Sequence, residues 1–259
     1  MNTLTRKEDW DQGYVSREES IDLELGWRHH TNYLLAKKIE EIGLDGKSVL
    51  EIGAGDSQWL PYFAKKYPGS RFVGMDYSQA GCDRLAKRVA TSGATNIDIY
   101  QHDMFAMESA LHGKFDLVLS FGVVEHFTEL SHALLAKRKY LKDRGLMFSL
   151  IPNMAGSLGH LTKLFNRAIY EMHNPHDWNL FLEGHCKAGL TVISGGYFGS
   201  SNFGVLSSSF KKHEGFSWHT YVLLTRLSKA IWLLESKFGD LPGSKMFSPY
   251  IYAISRANY

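Results

Sequence analysis

The chain has 259 residues, of which 44% are hydrophobic and 22% are charged, a composition typical of one globular domain with a sizeable core. Its formal net charge of +2 is too small to favour nucleic acid or an anionic membrane surface as a partner. The cysteines, Cys82 and Cys186, are too far apart to indicate a metal-binding pair and fit a reducing compartment, so we expect a cytoplasmic protein.

The N-terminal segment, residues 1–45, predicts a helical cap. Residues 27–44 have the apolar spacing of an amphipathic helix, and Gly43 is a helix-stop residue. Residues 1–14 lack the apolar run of a signal peptide, and no later stretch is long and apolar enough to span a bilayer. We therefore expect no membrane partner.

Residues 46–153 alternate between strand and helix patterns. This alternation predicts an α/β fold, Rossmann-like and doubly wound around a mostly parallel sheet, whose ligands bind at the carboxyl ends of the strands. The strand candidates are KSVLEI (47–52), RFVGMD (71–76), NIDIYQHD (96–103), KFDLVLSFG (114–122) and GLMFSLIPN (145–153).

After Asn153 the alternation weakens. Two more strand candidates, residues 189–199 and 250–256, are separated by a long helical insertion, which predicts seven strands with an antiparallel edge strand. The insertion helix near residues 218–238 has apolar residues at helical spacing. That face fits core packing, a lid or a dimer surface, so a homodimer stays open.

The turn after the first strand, VLEIGAGDSQW (49–59), is typical of a cofactor loop. Gly53 and Gly55 permit a tight turn and a close approach of ligand to backbone. A dinucleotide fingerprint would need a third glycine where Gln58 stands, and Glu51 would not help a pyrophosphate. A nicotinamide-dependent oxidoreductase is therefore the disfavoured alternative.

Four motifs in order resemble the class I S-adenosylmethionine-dependent methyltransferases. They are VLEIGAG (49–55), GMDYS (74–78), HDM (102–104) and FDLVLSFGVVEHF (115–127), and the strand GLMFSLIPN follows them. The resemblance covers residues 46–153 well. It departs from the family at Ser57, where many members have a further glycine.

The resemblance implies S-adenosylmethionine as cofactor. Asp76 would accept hydrogen bonds from the ribose hydroxyls, Asp103 from the adenine amino group, and Glu51 would anchor the loop near the cofactor's amino group. The expected cofactor-binding residues are Glu51, Gly53, Ala54, Gly55, Asp76, Tyr77, Asp103, Met104, Phe121 and Gly122.

His126 follows the fourth strand, close to where the methyl group should point, and is our candidate general base. A histidine that only begins a helix is the competing interpretation. In MHNPHDW (172–178), Pro175 separates two histidines that would otherwise share a helix face, so we expect no metal. The expected acceptor-binding residues are Trp10, Tyr14, His30, Asn153, His160 and Trp178.

These patterns predict a single methyltransferase domain over residues 1–259, with a cap (1–45), a cofactor-binding core (46–153) and an acceptor side (154–259). We expect methyl transfer to a small-molecule acceptor in natural-product or glycan-precursor biosynthesis, with the methylated atom (O, N, C or S) open. A non-catalytic binding subunit with this fold is a second alternative. Methylation of protein or RNA is a weaker option because the net charge is small.

Overall fold

The computed structural model describes residues 3–16, 22–210 and 215–257. Seven strands form one sheet, in which β1 to β5 run parallel and β7 runs antiparallel to both of its neighbours. The strands are β1 (Ser48–Ile52), β2 (Arg71–Asp76), β3 (Ile97–Gln101), β4 (Phe115–Phe121), β5 (Leu141–Pro152), β6 (Leu190–Phe198) and β7 (Tyr250–Ala257). The order across the sheet is β3-β2-β1-β4-β5-β7-β6, which confirms the predicted mixed sheet and places its antiparallel pairing at one end.

Helices connect the strands and cover the sheet. Ser78 begins one of them because its side chain accepts a hydrogen bond from the Gly81 amide, and Gly93, with a φ of +73°, ends it. Among the described residues, no helix has the length and apolar character needed to cross a membrane. The helices are α1 (Lys7–Ser16), α2 (His30–Glu40), α3 (Trp59–Lys66), α4 (Gln79–Ser92), α5 (Leu130–Arg138), α6 (Ser157–Phe165), α7 (Arg167–Glu171), α8 (Trp178–Lys187) and α9 (Gly215–Phe238).

The central strands are apolar on both faces because helices cover both faces. Val49 and Leu50, neighbours on β1, are fully buried in two different core clusters on opposite sides of the sheet. One cluster includes Phe63 of α3, and the other includes Leu134 of α5 and Phe181 of α8. The doubly wound architecture predicted from the sequence is therefore confirmed.

The predicted N-terminal cap consists of α1 and α2, and residues 17–21 of that segment lie outside the described residues. Thr3 forms an isolated antiparallel bridge with Phe127, and the Leu4 amide donates to the carbonyl of His126 (2.8 Å). These bonds tie the N-terminal segment to the loop after β4. The segment thus covers the carboxyl ends of the central strands.

The insertion helix α9 has one face on the body of the protein and one face exposed. Trp232 is buried, and its indole nitrogen donates to the Ser201 carbonyl (2.8 Å). Of the predicted apolar face, Leu227, Leu234 and Phe238 are 50%, 56% and 83% exposed, and the other members are half-buried: Tyr221, Leu224 and Ile231. Only part of the predicted apolar face is therefore core, and the homodimer stays a prediction.

Candidate active site

A cavity of about 900 Å3 lies at the carboxyl ends of β1, β2 and β4. Its size is near the upper end of the range for small-molecule sites, about 300–1,000 Å3. The glycine turn forms one end, the loop after β4 and residues 169–173 form the other, and α1 lies over both. One cavity therefore joins the two sets of residues that the sequence singled out.

The turn after β1 requires its glycines. Gly53 has a φ of +73°, and a Cβ there would lie 2.5 Å from Val123 Cγ2. At Gly55 a Cβ would lie 1.9 Å from the hydroxyl oxygen of Tyr14. The amides of Gly53 and Ala54 both donate to the carbonyl of Met75 (2.8 and 3.0 Å), which fixes the turn to the end of β2.

Glu51 lies under this turn and is 3% exposed. Its carboxylate accepts a hydrogen bond from Ser57 Oγ (2.7 Å), and that oxygen accepts from the amides of Trp59 (3.1 Å) and Leu60 (3.3 Å). Burial raises the pKa of Glu51 to about 8. Ser57, the departure from the family pattern, therefore holds Glu51 and the start of α3 in place.

Asp76 ends β2 and is 5% exposed. Its Oδ2 accepts from the Gly55 amide (2.9 Å) and the Tyr14 hydroxyl (3.4 Å), and its Oδ1 accepts from the Ser78 amide (2.8 Å). Burial raises the pKa of Asp76. An ionised carboxylate offers about four acceptor positions, and the Tyr77 amide also approaches this one, so a ligand hydroxyl would have to displace one of these donors. Tyr14, expected on the acceptor side, thus contacts the predicted ribose-binding residue.

The remaining cofactor residues surround the same end of the cavity. Asp103 is exposed at the rim, where its Oδ1 accepts from the Phe105 amide (2.9 Å), and the Phe121 ring stacks on Trp59 at 5.6 Å between centroids. Gly55 lies behind the surface and reaches the site through its bond to Asp76. The predicted residues that line the cavity are Glu51, Gly53, Ala54, Asp76, Tyr77, Asp103, Met104, Phe121 and Gly122.

Three polar side chains, Glu125, His126 and His173, form a cluster at the other end of the cavity, with ligand-capable atoms all within 4.8 Å of one another. His126 lies in a short 3-10 helix, Val124–His126, and its ring is 5.0 Å from that of Trp10. Sequence analysis identified His126 and Trp10 but missed the role of Glu125. The available signal was the acidic residue directly before His126 in FGVVEHF.

Four predicted acceptor residues lie outside the cavity, which corrects that expectation. His30 is buried and bonded to Asp240 (2.8 Å), and His160 is exposed on α6. Asn153 uses its amide nitrogen on the carbonyls of residues 245 and 248 (2.9 Å each). Trp178 packs over Gly195 of β6, where a Cβ would lie 2.4 Å from the indole.

Residues that sequence analysis did not name as acceptor-binding replace those four at the acceptor end. Ile169 and Met172 line it from α7 and the residue after it, and Val205 and Ser208 line it from a 3-10 helix, Phe203–Ser209. None of these residue types signals a ligand site in the sequence. Their place depends on the path of the chain after β5.

Comparison with known proteins supports the same interpretation. A family model described as "Methyltransferase domain" matches residues 27–193, more than half of the chain. The "Probable (S)-tetrahydroprotoberberine N-methyltransferase 2" of Papaver bracteatum is 28% identical over 135 residues, 52% of this chain and 36% of that protein. Other curated relatives include tRNA (guanine-N(7)-)-methyltransferases, such as that of Shewanella pealeana, 34% identical over 25% of this chain and 27% of that protein. The chain thus spans about a quarter to two fifths of the length of the curated relatives it matches.

Solved structures share the fold over nearly the whole chain. The [4+2]-cyclase SpnF has a TM-score of 0.66 at 14% identity, with 99% of this chain and 96% of that chain covered. The geranyl diphosphate C-methyltransferase of Streptomyces coelicolor A3(2), solved with Mg2+, geranyl diphosphate and S-adenosyl-L-homocysteine, has a TM-score of 0.64 at 12% identity, with 97% and 98% covered. The match of the family model, together with this fold, shows that the chain belongs to the methyltransferase-domain family, with the class I fold of S-adenosylmethionine-dependent methyltransferases.

Proposed function

We propose that the protein transfers a methyl group from S-adenosylmethionine to a small-molecule acceptor. The observation that supports this most is the single cavity, which joins the family's cofactor residues to a separate polar cluster under a cap. S-adenosylmethionine supplies an electrophilic methyl group on a sulfonium sulfur. The protein then has to hold the acceptor's nucleophilic atom in line with that group and keep water away.

The cofactor end fits the group it would hold. Asp76 lines the cavity with a carboxylate that can accept from a ribose hydroxyl, and the Gly53 backbone lines it too. Buried Glu51 lies where the family motif expects the amino group of the methionine part, and a cation there would favour its charged form. These three features favour a sulfonium cofactor over a pyrophosphate.

The acceptor end lies beneath the N-terminal segment. Trp10 and Phe127 line it as apolar walls, and the bond from the Leu4 amide to the His126 carbonyl holds the N-terminal segment across it. A covered pocket selects for a small molecule, and the net charge of +2 gives little attraction for a polyanion such as tRNA. Natural-product or glycan-precursor biosynthesis, a cytoplasmic location and a homodimer stay predictions.

His126 is the catalytic residue in this proposal. Its Nδ1 bonds to the carbonyl of Met172 (2.7 Å), its Nε2 lies 3.9 Å from Glu125 Oε1, and the Gly122 backbone also approaches the ring. Burial lowers the pKa of His126, so the neutral ring with a lone pair on Nε2 is favoured near neutral pH. That lone pair can act on the acceptor's proton.

The test of the proposal is a titration and a turnover assay on the full chain. Calorimetry should show binding of S-adenosylhomocysteine and no binding of NADH. Methyl-labelled S-adenosylmethionine should then label a member of a panel of phenols, hydroxy acids and amines, but not a tRNA transcript. Binding of NADH alone would indicate the oxidoreductase, cofactor binding without turnover on any acceptor would indicate a binding subunit, and labelling of tRNA would overturn the small-molecule assignment.

A further inference from the structure

Glu125 is a buried acidic side chain whose carboxylate oxygens lack hydrogen-bond partners among the described residues. Its side chain is 1% exposed. An isolated carboxylate away from water is costly and is normally compensated by a proton, a cation or a metal ion. Glu125 lines the cavity, so a ligand that enters the cavity can provide that compensation.

Two histidines face this carboxylate with defined tautomers. His126 Nδ1 lies 2.7 Å from the Met172 carbonyl, and His173 Nδ1 lies 2.7 Å from the Ile169 carbonyl. A carbonyl oxygen only accepts, so both Nδ1 atoms carry the proton and, in the neutral rings, both Nε2 atoms carry a lone pair. The Gly122 backbone, which also approaches the His126 ring, would have to give way to an ion at Nε2. A backbone carbonyl behind the second ring nitrogen is the arrangement that orients histidines bound to metals.

The distances suit an ion better than a direct bond. His126 Nε2 and Glu125 Oε1 are 3.9 Å apart, beyond hydrogen-bond range. Two ligands of one zinc ion, each about 2.1 Å from the metal, lie about 3.4 Å apart in a tetrahedron and at most about 4.2 Å apart. The three ligand atoms of the cluster are within 4.8 Å of one another, so movements of about 1 Å would bring them to one ion.

We infer that Glu125, His126 and His173 bind one divalent transition-metal ion in the acceptor end of the cavity. Two imidazoles and one carboxylate are the ligand set of open catalytic zinc sites and of other borderline divalent metals. Sequence analysis weighed the pair His173 and His176 instead. Among the described residues His176 and Asp177 do not belong to the cluster, and Asp177 caps α8 and bonds to a lysine at 2.8 Å.

The open positions of the ion would face the cavity and bind an oxygen of the acceptor. This use of the metal rests on the proposed function, whereas the ion site itself rests on the side chains alone. A bound ion lowers the pKa of a hydroxyl, so His126 would assist loss of the acceptor's proton to solvent as a ligand of the metal. The preferred acceptor class is then a hydroxyl compound with a second oxygen close enough to chelate.

The test measures metal binding without any cofactor. Metal-stripped full-length protein is titrated with Zn2+ by calorimetry and with Co2+ by visible absorption, which reports coordination geometry. Wild type should bind one equivalent with a visible Co2+ band. Glu125→Gln and His173→Ala should each weaken binding at least 10-fold, as expected for loss of one of three ligands, and should lose or shift the band. The matched control is His176→Ala, which removes a buried imidazole outside the cluster and should change neither reading.

Melting curves show whether each variant is folded. If Glu125→Gln does not fold, His173→Ala alone decides the test. Absence of binding to wild type, or unchanged binding in the folded cluster variants, would overturn the inference. S-adenosylhomocysteine is titrated into the same samples. If the protein binds S-adenosylhomocysteine but no metal ion, the inference fails and the proposed function remains, with His126 as a direct base. If it binds the metal ion but not S-adenosylhomocysteine, the proposed function fails and the metal site remains.

Discussion

The two ends of the cavity are built in different ways. At the cofactor end, Gly53, Glu51 and Asp76 lie at strand ends or in the turn between strand and helix, and hydrogen bonds from within a short stretch of chain or from the neighbouring strand hold them. At the acceptor end, His126 and His173 are 47 residues apart in the chain, and each ring nitrogen Nδ1 is held by one backbone carbonyl. The comparison teaches that the sheet positions the predicted cofactor-binding residues, whereas the packing of segments far apart in the chain positions the proposed acceptor-side residues.

If the two ends are separable, the largest effect of any substitution at the acceptor end should fall on turnover. His126→Ala should lower the single-turnover rate by about 10²–10⁴-fold, the usual share of a group that assists proton removal, with affinity for S-adenosylhomocysteine near wild type. His160→Ala, on exposed α6, is the matched control and should be neutral. A rate within a few-fold of wild type would remove His126 from the chemistry.

The raised pKa of Glu51 at the cofactor end should make the stability of the protein depend on pH. Burial raises the pKa of Glu51 from 4.5 to about 8, so between these values the folded state holds a proton that the unfolded state has lost. The free energy of unfolding should therefore fall as pH rises from 5 to 8, by up to about 1.4 kcal/mol per pH unit from this group. Chemical denaturation of wild type and Glu51→Gln measures the slope.

Glu51→Gln should flatten that slope, because glutamine does not titrate. Glu108→Gln, at an exposed position, is the control and should follow wild type. Curves for wild type and Glu51→Gln that stay parallel from pH 5 to 8 would show that Glu51 keeps an ordinary pKa in the folded protein.

Cofactor affinity should depend on the carboxylate at the end of β2. Asp76→Ala should weaken binding of S-adenosylhomocysteine by about 1.5–3 kcal/mol, the range for hydrogen bonds to a charged group, which is roughly 10- to 150-fold. Calorimetry measures this, with Asp98→Ala as control because Asp98 pairs with Arg71 on the exposed surface of β3. An unchanged affinity in folded Asp76→Ala would exclude Asp76 from the site.

Tyr14 was predicted to bind the acceptor, but it contacts a residue of the cofactor end. Its hydroxyl occupies the second acceptor position of Asp76 Oδ2 at 3.4 Å. A ribose hydroxyl that binds Oδ2 would have to displace it. Tyr14→Phe should therefore tighten S-adenosylhomocysteine binding by a few-fold at most and leave the acceptor's KM unchanged. Weaker binding would mean that Tyr14 itself contacts the cofactor.

The sequence predicted the fold of the cofactor half well because its signals are local. Glycines in a turn and an acid at a strand end act within a few residues, and β2 has the boundaries that the pattern indicated, Arg71 and Asp76. Parallel strands then bring their carboxyl ends together without further information. The family match over residues 27–193 lies on the same part of the chain.

Long-range packing explains what the sequence did not predict. Asn153 stands at a strand end like Asp76, yet its amide closes the loop before β7 because residues 245 and 248 pack beside it. Lys137 looks like a solvent-facing helix residue but is fully buried, where its ammonium donates to the hydroxyls of Ser120 and Ser149. Burial lowers the pKa of Lys137 to about 7. Neither outcome has a local signal.

The position of β7 between β5 and β6 has a consequence for how the molecule folds. In the described sheet β6 is hydrogen-bonded to β7 and to no other strand. It therefore cannot join the sheet until residues 250–257 have paired with β5. The β5–β7 pairs, such as Ile151 with Ile251, join residues far apart in the chain, and such contacts form late because loop closure precedes them. We expect the five parallel strands to be protected first from hydrogen exchange during refolding, and β6 and β7 to gain protection together in one later step.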